Sequence, residues 1–245
     1  MLSKLRFRPT LWPTLFSVPA FIVMIGLCVW QVQRMHWKEG LIAEREARVT
    51  AAPVALPAAG AGDVAGMEYR RVRLEGAFLH DQELYLGARS LNGNPGYHVL
   101  TPFALAEGGA VLVDRGWIPI ERKPPETRAE GQVAGAQALD GIVRLPPDRA
   151  WMQPDNEPAN NMWFYVDLPA MAAASGAALR TDLYVDAGPA ENPGGYPVGS
   201  QTRIELPNDH LQYAVTWGLL AAALAVIYVL YHLKLERERK PGADR

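Results

Sequence analysis

Two stretches without a single charged side chain, one near each end of the chain, decide what this sequence is able to fold into. The first runs from Pro9 to Gln33 and the second from Leu211 to Tyr231. A helix of roughly 20 apolar residues crosses the hydrocarbon core of a bilayer, and each stretch reaches that length. The heart of the first, Leu15 to Trp30, reads LFSVPAFIVMIGLCVW, and the second reads LQYAVTWGLLAAALAVIYVLY. Trp12 and Trp30 flank the first; Tyr213, Trp217, Tyr228 and Tyr231 mark the second. Such rings settle at the headgroup interface. The expectation is a membrane α+β protein, with transmembrane helices at residues 11–33 and 210–232 around one long section, 34–209.

Charge at the ends sets the orientation. Lys4, Arg6 and Arg8 precede the first stretch, and Lys234, Arg237, Arg239 and Lys240 follow the second. Positive flanks stay on the cytoplasmic side, so residues 1–10 and the basic tail 233–245 are expected there, with the long section across the membrane. Arg34 and Lys38 oppose this weakly, because a loop of this length translocates largely regardless of charge. The first stretch is long for a signal-peptide core, and no small-x-small site precedes Trp30–Arg34, which favours an uncleaved anchor. Few residues come before it, too few for an Arg- and Ser-rich transit peptide. That points to a bacterial inner (cell) membrane and a periplasmic middle section.

Apolar residues make up 49% of the chain but gather near its ends, and the formal net charge of −2 offers no basic field for nucleic acid. The section from Trp37 to Asn208 has the size of one ordinary domain with its own core. The sole cysteine, Cys28, lies in the first apolar stretch and reads as small apolar filler. Trp37 to Val49, WKEGLIAEREARV, mixes both signs of charge and continues as helix out of the membrane. Residues 50–66, TAAPVALPAAGAGDVAG, then read as an Ala/Pro/Gly linker without packing periodicity.

Strand signals follow at short intervals. Arg71 to Phe78 alternates, with Val72 and Leu74 on one face. Glu83 to Ala88 and Tyr97 to Phe103 flank the turn composition Asn92-Gly93-Asn94-Pro95-Gly96. Ala110 to Trp117 contains Val111-Leu112-Val113, which suits a strand buried on both faces. Ala138 to Leu145, Met162 to Val166 and Asp182 to Asp186 complete the strands, and Leu168 to Gly176 is a helix. Residues 121–137 and 189–203 are loops rich in Pro and Gly. The middle section is therefore β-rich, a twisted or barrel-like antiparallel sheet.

No P-loop, dinucleotide fingerprint, G-x-S-x-G or H-E-x-x-H occurs, and acidic residues such as Asp186 and Glu191 are not brought together by spacing. Among the five histidines, His80 reads as solvated, His98 as a satisfied strand residue and His232 as an interfacial imidazole. His36 and His210 differ, because both lie near the outer interface. At helical spacing His210, Tyr213 and Trp217 share a face, and Ala214, Gly218 and Ala222 form a row on which another helix packs closely. An imidazole, a phenol and an indole there could make a flat apolar slot with one haem ligand. The plainer reading is an interfacial aromatic belt with one hydrogen-bonded histidine.

Trp30-Gln31-Val32-Gln33-Arg34, with Trp37-Lys38 and Leu41-Ile42, resembles the end of the first span in the Surfeit locus protein 1 family. Further matches run in order: Tyr69-Arg70-Arg71-Val72 with Gly76; Gly96-Tyr97-His98-Val99 through Thr101-Pro102-Phe103; Val113-Asp114-Arg115-Gly116-Trp117-Ile118-Pro119; residues 161–167, NMWFYVD; and Asn208-Asp209-His210-Leu211-Gln212-Tyr213-Ala214 with Thr216-Trp217. The resemblance covers nearly the whole chain outside the linker and loops. It implies a non-enzymatic assembly factor for haem-copper cytochrome c oxidase, with the oxidase's largest subunit as partner and haem-a synthesis machinery as a further candidate partner. For bacterial members it implies transient binding of haem a and help with its insertion.

The family's histidine at the start of the second span carries over to His210 as the candidate axial ligand, with Tyr213 and Trp217 beside it. Arg34 or Arg115 is a candidate partner for a haem propionate, since a guanidinium fork suits a carboxylate. The plainer reading of Arg115 is an ion pair within its own domain, and of Trp117 a core residue. His36 as a second ligand is a reading of its position alone and not something the family supplies. Asp114 and Gly218 depart from the family pattern, where Asn and an aromatic are expected, and the second departure alters the slot beside Trp217. The runner-up function is a scaffold that holds an immature oxidase subunit without haem, using the small-residue row as the seam for a partner helix. A tethered hydrolase is a third reading, for which the sequence displays no nucleophile and base.

Overall fold

The computed structural model describes residues 8–60, 62–202 and 206–238. The charges at Lys4, Arg6, Arg239 and Lys240 lie outside them. Helix α1 (Leu11–Thr50) opens the chain. It is followed by strands β1 (Arg71–Phe78), β2 (Leu84–Leu91), β3 (Asn94–Leu105), β4 (Ala110–Pro119), β5 (Gln137–Arg144) and β6 (Met162–Trp163), the short helix α2 (Leu168–Ser175), β7 (Tyr184–Ala187) and helix α3 (His210–Glu238). The chain forms two compact units: Met1–Glu44 with Glu205–Arg245, and Arg45–Ile204.

The second unit is a seven-stranded sheet in the order β1-β5-β7-β4-β3-β2-β6, and an extra pairing of β1 with β3 closes five of the strands into a ring. Closure demands Gly76. It lies opposite Leu105 where β1 meets β3, and a Cβ there would stand 2.0 Å from the Ala104 carbonyl oxygen. The ring interior is filled by Val72, Leu74, Phe103, Val111, Val113, Val143 and Val185. Leu112 faces the other way, joining Leu84, Leu86, Leu100 and Trp163 under Leu168 and Met171 of α2. Alternate β4 residues thus serve two cores, as the continuous apolar run Val111–Val113 anticipates.

Helix α2 is bounded locally: the Asp167 carboxylate accepts from Ala170 N at 3.0 Å, and Gly176 ends the helix at φ 70°. The β2–β3 turn holds Asn92 and Gly93 at φ 51° and 83°, the conformation a tight hairpin favours.

The sheet departs from expectation in two respects. It is mixed, because β4 pairs with β7 and β2 with β6 in parallel. Parallel neighbours need a long connection, and everything from β5 through α2 lies between β4 and β7. The second departure is the linker, which packs. Val54 forms a parallel bridge with Val72, and Val54, Leu56 and Val64 lie against the ring interior. Isolated apolar residues among Ala and Pro carry no periodicity, yet each covers part of the core.

In the first unit, α1 and α3 run antiparallel, each long and apolar enough to cross a membrane. Thr10 meets His232, Thr14 meets Tyr228 and Gln31 meets His210. Residues 210 and 232 are about 33 Å apart along α3, close to a hydrocarbon core of about 30 Å. Ala214 and Ala221 are buried, and a Cβ at Gly218 would stand 3.7 Å from Cys28 Sγ. The close-packed row is therefore 214–218–221, and Ala222 is exposed. A stripe between two packed helices steps by threes and fours, not by fours alone. This chain's own α1 occupies the seam that the sequence offered to a partner helix.

Candidate functional site

At the far end of the helix pair, His210 Nδ1 lies 2.6 Å from Gln31 Oε1. The amide oxygen only accepts, so Nδ1 carries the proton. The tautomer with its proton at Nδ1 has its lone pair at Nε2, which has no hydrogen-bond partner among the described residues. Trp30 stands edge-on to the imidazole, centroids 6.4 Å apart and planes at 84°. Tyr213 and Trp217 follow His210 along α3; Tyr213 is 55% exposed and Trp217 half-buried. Gln31 is the site residue that sequence reading missed. The signal was an amide within an uncharged run, quoted as part of a motif but given no role.

The other candidates are not gathered there. His36 Nδ1 bonds Glu39 Oε2 at 3.0 Å, and the imidazole is 65% exposed. Five residues beyond Gln31, it points about 140° away around the helix, so the structure gives no pairing of His36 with His210. Arg34 is exposed, its guanidinium 3.9 Å from the centre of the Trp37 ring.

The opposite end of the pair carries a second imidazole with a different fate. His232 is 1% exposed. Thr10 N donates to its Nε2 at 3.1 Å, and its Nδ1 donates to the Tyr228 carbonyl at 2.8 Å. Thr14 and Tyr228 share a hydroxyl–hydroxyl bond of 2.6 Å beside it. Both ring nitrogens are engaged, so this histidine ties α1 to α3 and offers nothing to a metal.

Arg115 belongs to the sheet unit and makes an ion pair within its own domain, the plainer of its two readings, so its guanidinium is not left open for a propionate. The residue is 2% exposed. It donates to Glu83 Oε1 at 3.1 Å and to the Gly131 carbonyl. Arg128 donates to the two Glu83 oxygens at 3.1 and 2.5 Å. Burial alone would raise the Glu83 carboxyl; hydrogen bonding from His80 and Arg128, with the charges of Arg128 and Arg115, holds it at about 2. Burial pushes Arg115 down to about 10, still cationic at neutral pH. His80, expected in solvent, is mostly buried beside this group and bonds the Val133 carbonyl at 3.0 Å. Gly116, next to Arg115, adopts φ 116° where a Cβ would meet the Val198 carbonyl oxygen at 1.9 Å. The Val113–Pro119 motif is thus a folding motif, and Trp117 is buried core as expected.

A second buried cluster surrounds Asp114. His98 Nδ1 lies 2.7 Å from Asp114 Oδ2, while Arg144 and Thr202 hold Asp186 Oδ2 at 3.2 and 2.7 Å. Burial and the neighbouring Asp114 push Asp186 up to about 6. Its acidic neighbour is therefore Asp114 from the paired strand β4, not Glu191. Among the described residues no group of three or more His, Cys, Asp or Glu side chains is placed to hold a metal ion.

Residues 18–222 match the SURF1 family. The chain is 40% identical over 236 residues to a SURF1-like protein of Monosiga brevicollis, covering 91% of this chain and 88% of that one. It is 41% identical to Surfeit locus protein 1 of Mus musculus (87% and 73% covered) and 40% identical to that of Homo sapiens (84% and 73%). With a match that takes in part of each apolar helix and the whole sheet unit, the chain belongs to the SURF1 family.

Proposed function

We propose that this protein is a non-enzymatic assembly factor for haem-copper cytochrome c oxidase that holds haem a through His210 and aids its insertion into the largest oxidase subunit. The observation that carries this reading is the Gln31–His210 bond, which leaves Nε2 as a bare lone pair at the end of an apolar helix pair. A bare ion needs several protein donors, and no such set occurs among the described residues. One imidazole suits an iron that arrives with its equatorial nitrogens already in a macrocycle. A single protein ligand is also a hold from which cargo is readily passed on. Trp30 stands against the imidazole, Tyr213 and Trp217 follow it along α3 as candidate apolar neighbours for the haem, and the exposed Arg34 remains the candidate for a propionate.

The membrane placement belongs to the same proposal: a bacterial inner membrane, both termini cytoplasmic and the sheet unit periplasmic, with the enzymes of haem-a synthesis as candidate donors. Its support is the pair of apolar helices and the basic flanks. The test is a pyridine haemochrome spectrum of the detergent-purified protein, co-expressed with haem-a synthesis, as wild type and His210→Ala. Haem a in the wild type and none in the variant is the expected result. A wild type without haem a overturns the haem reading in favour of a scaffold for an immature subunit.

A further inference from the structure

We infer that Gln31 is the positioning residue for His210: its side-chain carbonyl fixes the imidazole in the tautomer that exposes Nε2. Among the described residues of α1, Gln31 is the one buried residue, at 9% exposure, near the end of an uncharged and largely apolar run. An apolar side chain would fill that place more favourably, because a buried amide costs free energy unless it is hydrogen-bonded. The bond it makes is short, 2.6 Å, and reaches across the pair to the first turn of α3. Trp30, one residue earlier, stands edge-on to the same ring. Two consecutive residues of α1 therefore set the direction and the rotation of one imidazole.

The other end of the pair shows that this is a specific device. There the Tyr228 carbonyl accepts from His232 Nδ1 as Gln31 does for His210, but Thr10 N covers Nε2. A carbonyl on Nδ1 alone gives a ligand, and a carbonyl with an N–H on the far nitrogen gives a tie. An acceptor behind a metal-bound histidine also raises its basicity and holds its plane, and losing one typically costs 10–100-fold in metal affinity.

This inference rests on the haem reading for its consequence but not for its geometry, so the experiment has two readouts. Full-length protein labelled with 15N-histidine is prepared in detergent as wild type, Gln31→Leu and Gln31→Glu, with His210→Ala to assign the signal. In the haem-free wild type, His210 is expected to show a protonated Nδ1 and a bare Nε2. Gln31→Leu is expected to move the proton toward Nε2 and to weaken haem a retention by about 10–100-fold. Gln31→Glu retains an acceptor and is expected to restore both, which a merely space-filling role would not produce. A wild-type ring protonated at Nε2, or a leucine variant with unchanged haem retention, overturns the inference. A wild type that shows the expected tautomer but binds no haem a sinks the haem reading alone.

Discussion

In the sheet unit Arg115 is held by Glu83 and Gly131, and Glu83 by Arg128. At the far end of the helix pair the His210 ring has one hydrogen bond among the described residues, to Gln31. Both residues come from motifs that stand out in the sequence, and both were candidates for the same haem. The first has its charge paired within the fold and is nearly inaccessible, with only its Nε lacking an acceptor; the second has a ring lone pair left over. A buried guanidinium whose charge is paired inside its own domain is explained by folding, whereas a free lone pair on an imidazole asks for a partner from elsewhere. His232 sharpens the contrast, since it is the same residue type in the same helix with both nitrogens taken.

The largest effect is expected where paired charges are most deeply enclosed. Glu83→Ala would leave the Arg115 and Arg128 guanidiniums buried without a counter-charge, a change that costs about 3–5 kcal/mol. Denaturant unfolding of the full protein measures it, and a loss below about 1 kcal/mol would break the comparison by making the cluster dispensable. A smaller loss is expected at the terminal end of the helix pair. His232→Ala removes its ring's ties to Thr10 and Tyr228 and should lower stability by about 1–2 kcal/mol, while haem a content stays at the wild-type level. Loss of haem from this variant with an intact fold would reverse the roles assigned to the two histidines.

The pH dependences separate the two buried clusters of the sheet unit. Glu83, held at about 2 against an ordinary 4.5, contributes stability that is present above about pH 4.5 and lost as the pH falls through 2. Asp186 runs the other way. Raised from 3.8 to about 6, it stabilises the fold below pH 3.8, and that contribution disappears as the pH rises through 6. Asp186→Asn should therefore flatten the stability profile between about pH 4 and 6 and leave the acid limb to Glu83. An unchanged slope in unfolding measured across that window would contradict this account of the Asp114–Asp186 pair.

Period decides what was readable from the residues. Arg71–Phe78 alternates, Val111–Val113 is apolar on both faces, and the end stretches are apolar throughout, so these elements follow from pattern. The linker did not, because Val54, Leu56 and Val64 reach the core without any regular spacing. Parallel pairing of β4 with β7 is a matter of topology, which no local pattern records. At the site, the spacing of His210, Tyr213 and Trp217 along one helix was legible. The partner of His210 was not, since 179 positions separate it from Gln31 and a glutamine in an apolar run has no intrinsic role. Arg115 stayed open between two readings for the same reason: its partner Glu83 is 32 positions away, and a buried ion pair and an anion-binding arginine look alike in sequence.

The central claim is that the free Nε2 of His210 is a ligand atom, and cavity rescue tests it most directly. His210→Gly would be purified from cells making haem a, and its haem content and optical spectrum recorded with and without added imidazole, alongside its unfolding midpoint. The account predicts an unchanged midpoint, loss of haem without imidazole, and return of the wild-type spectrum when free imidazole fills the vacated place. Full haem retention in the glycine variant without imidazole would contradict it.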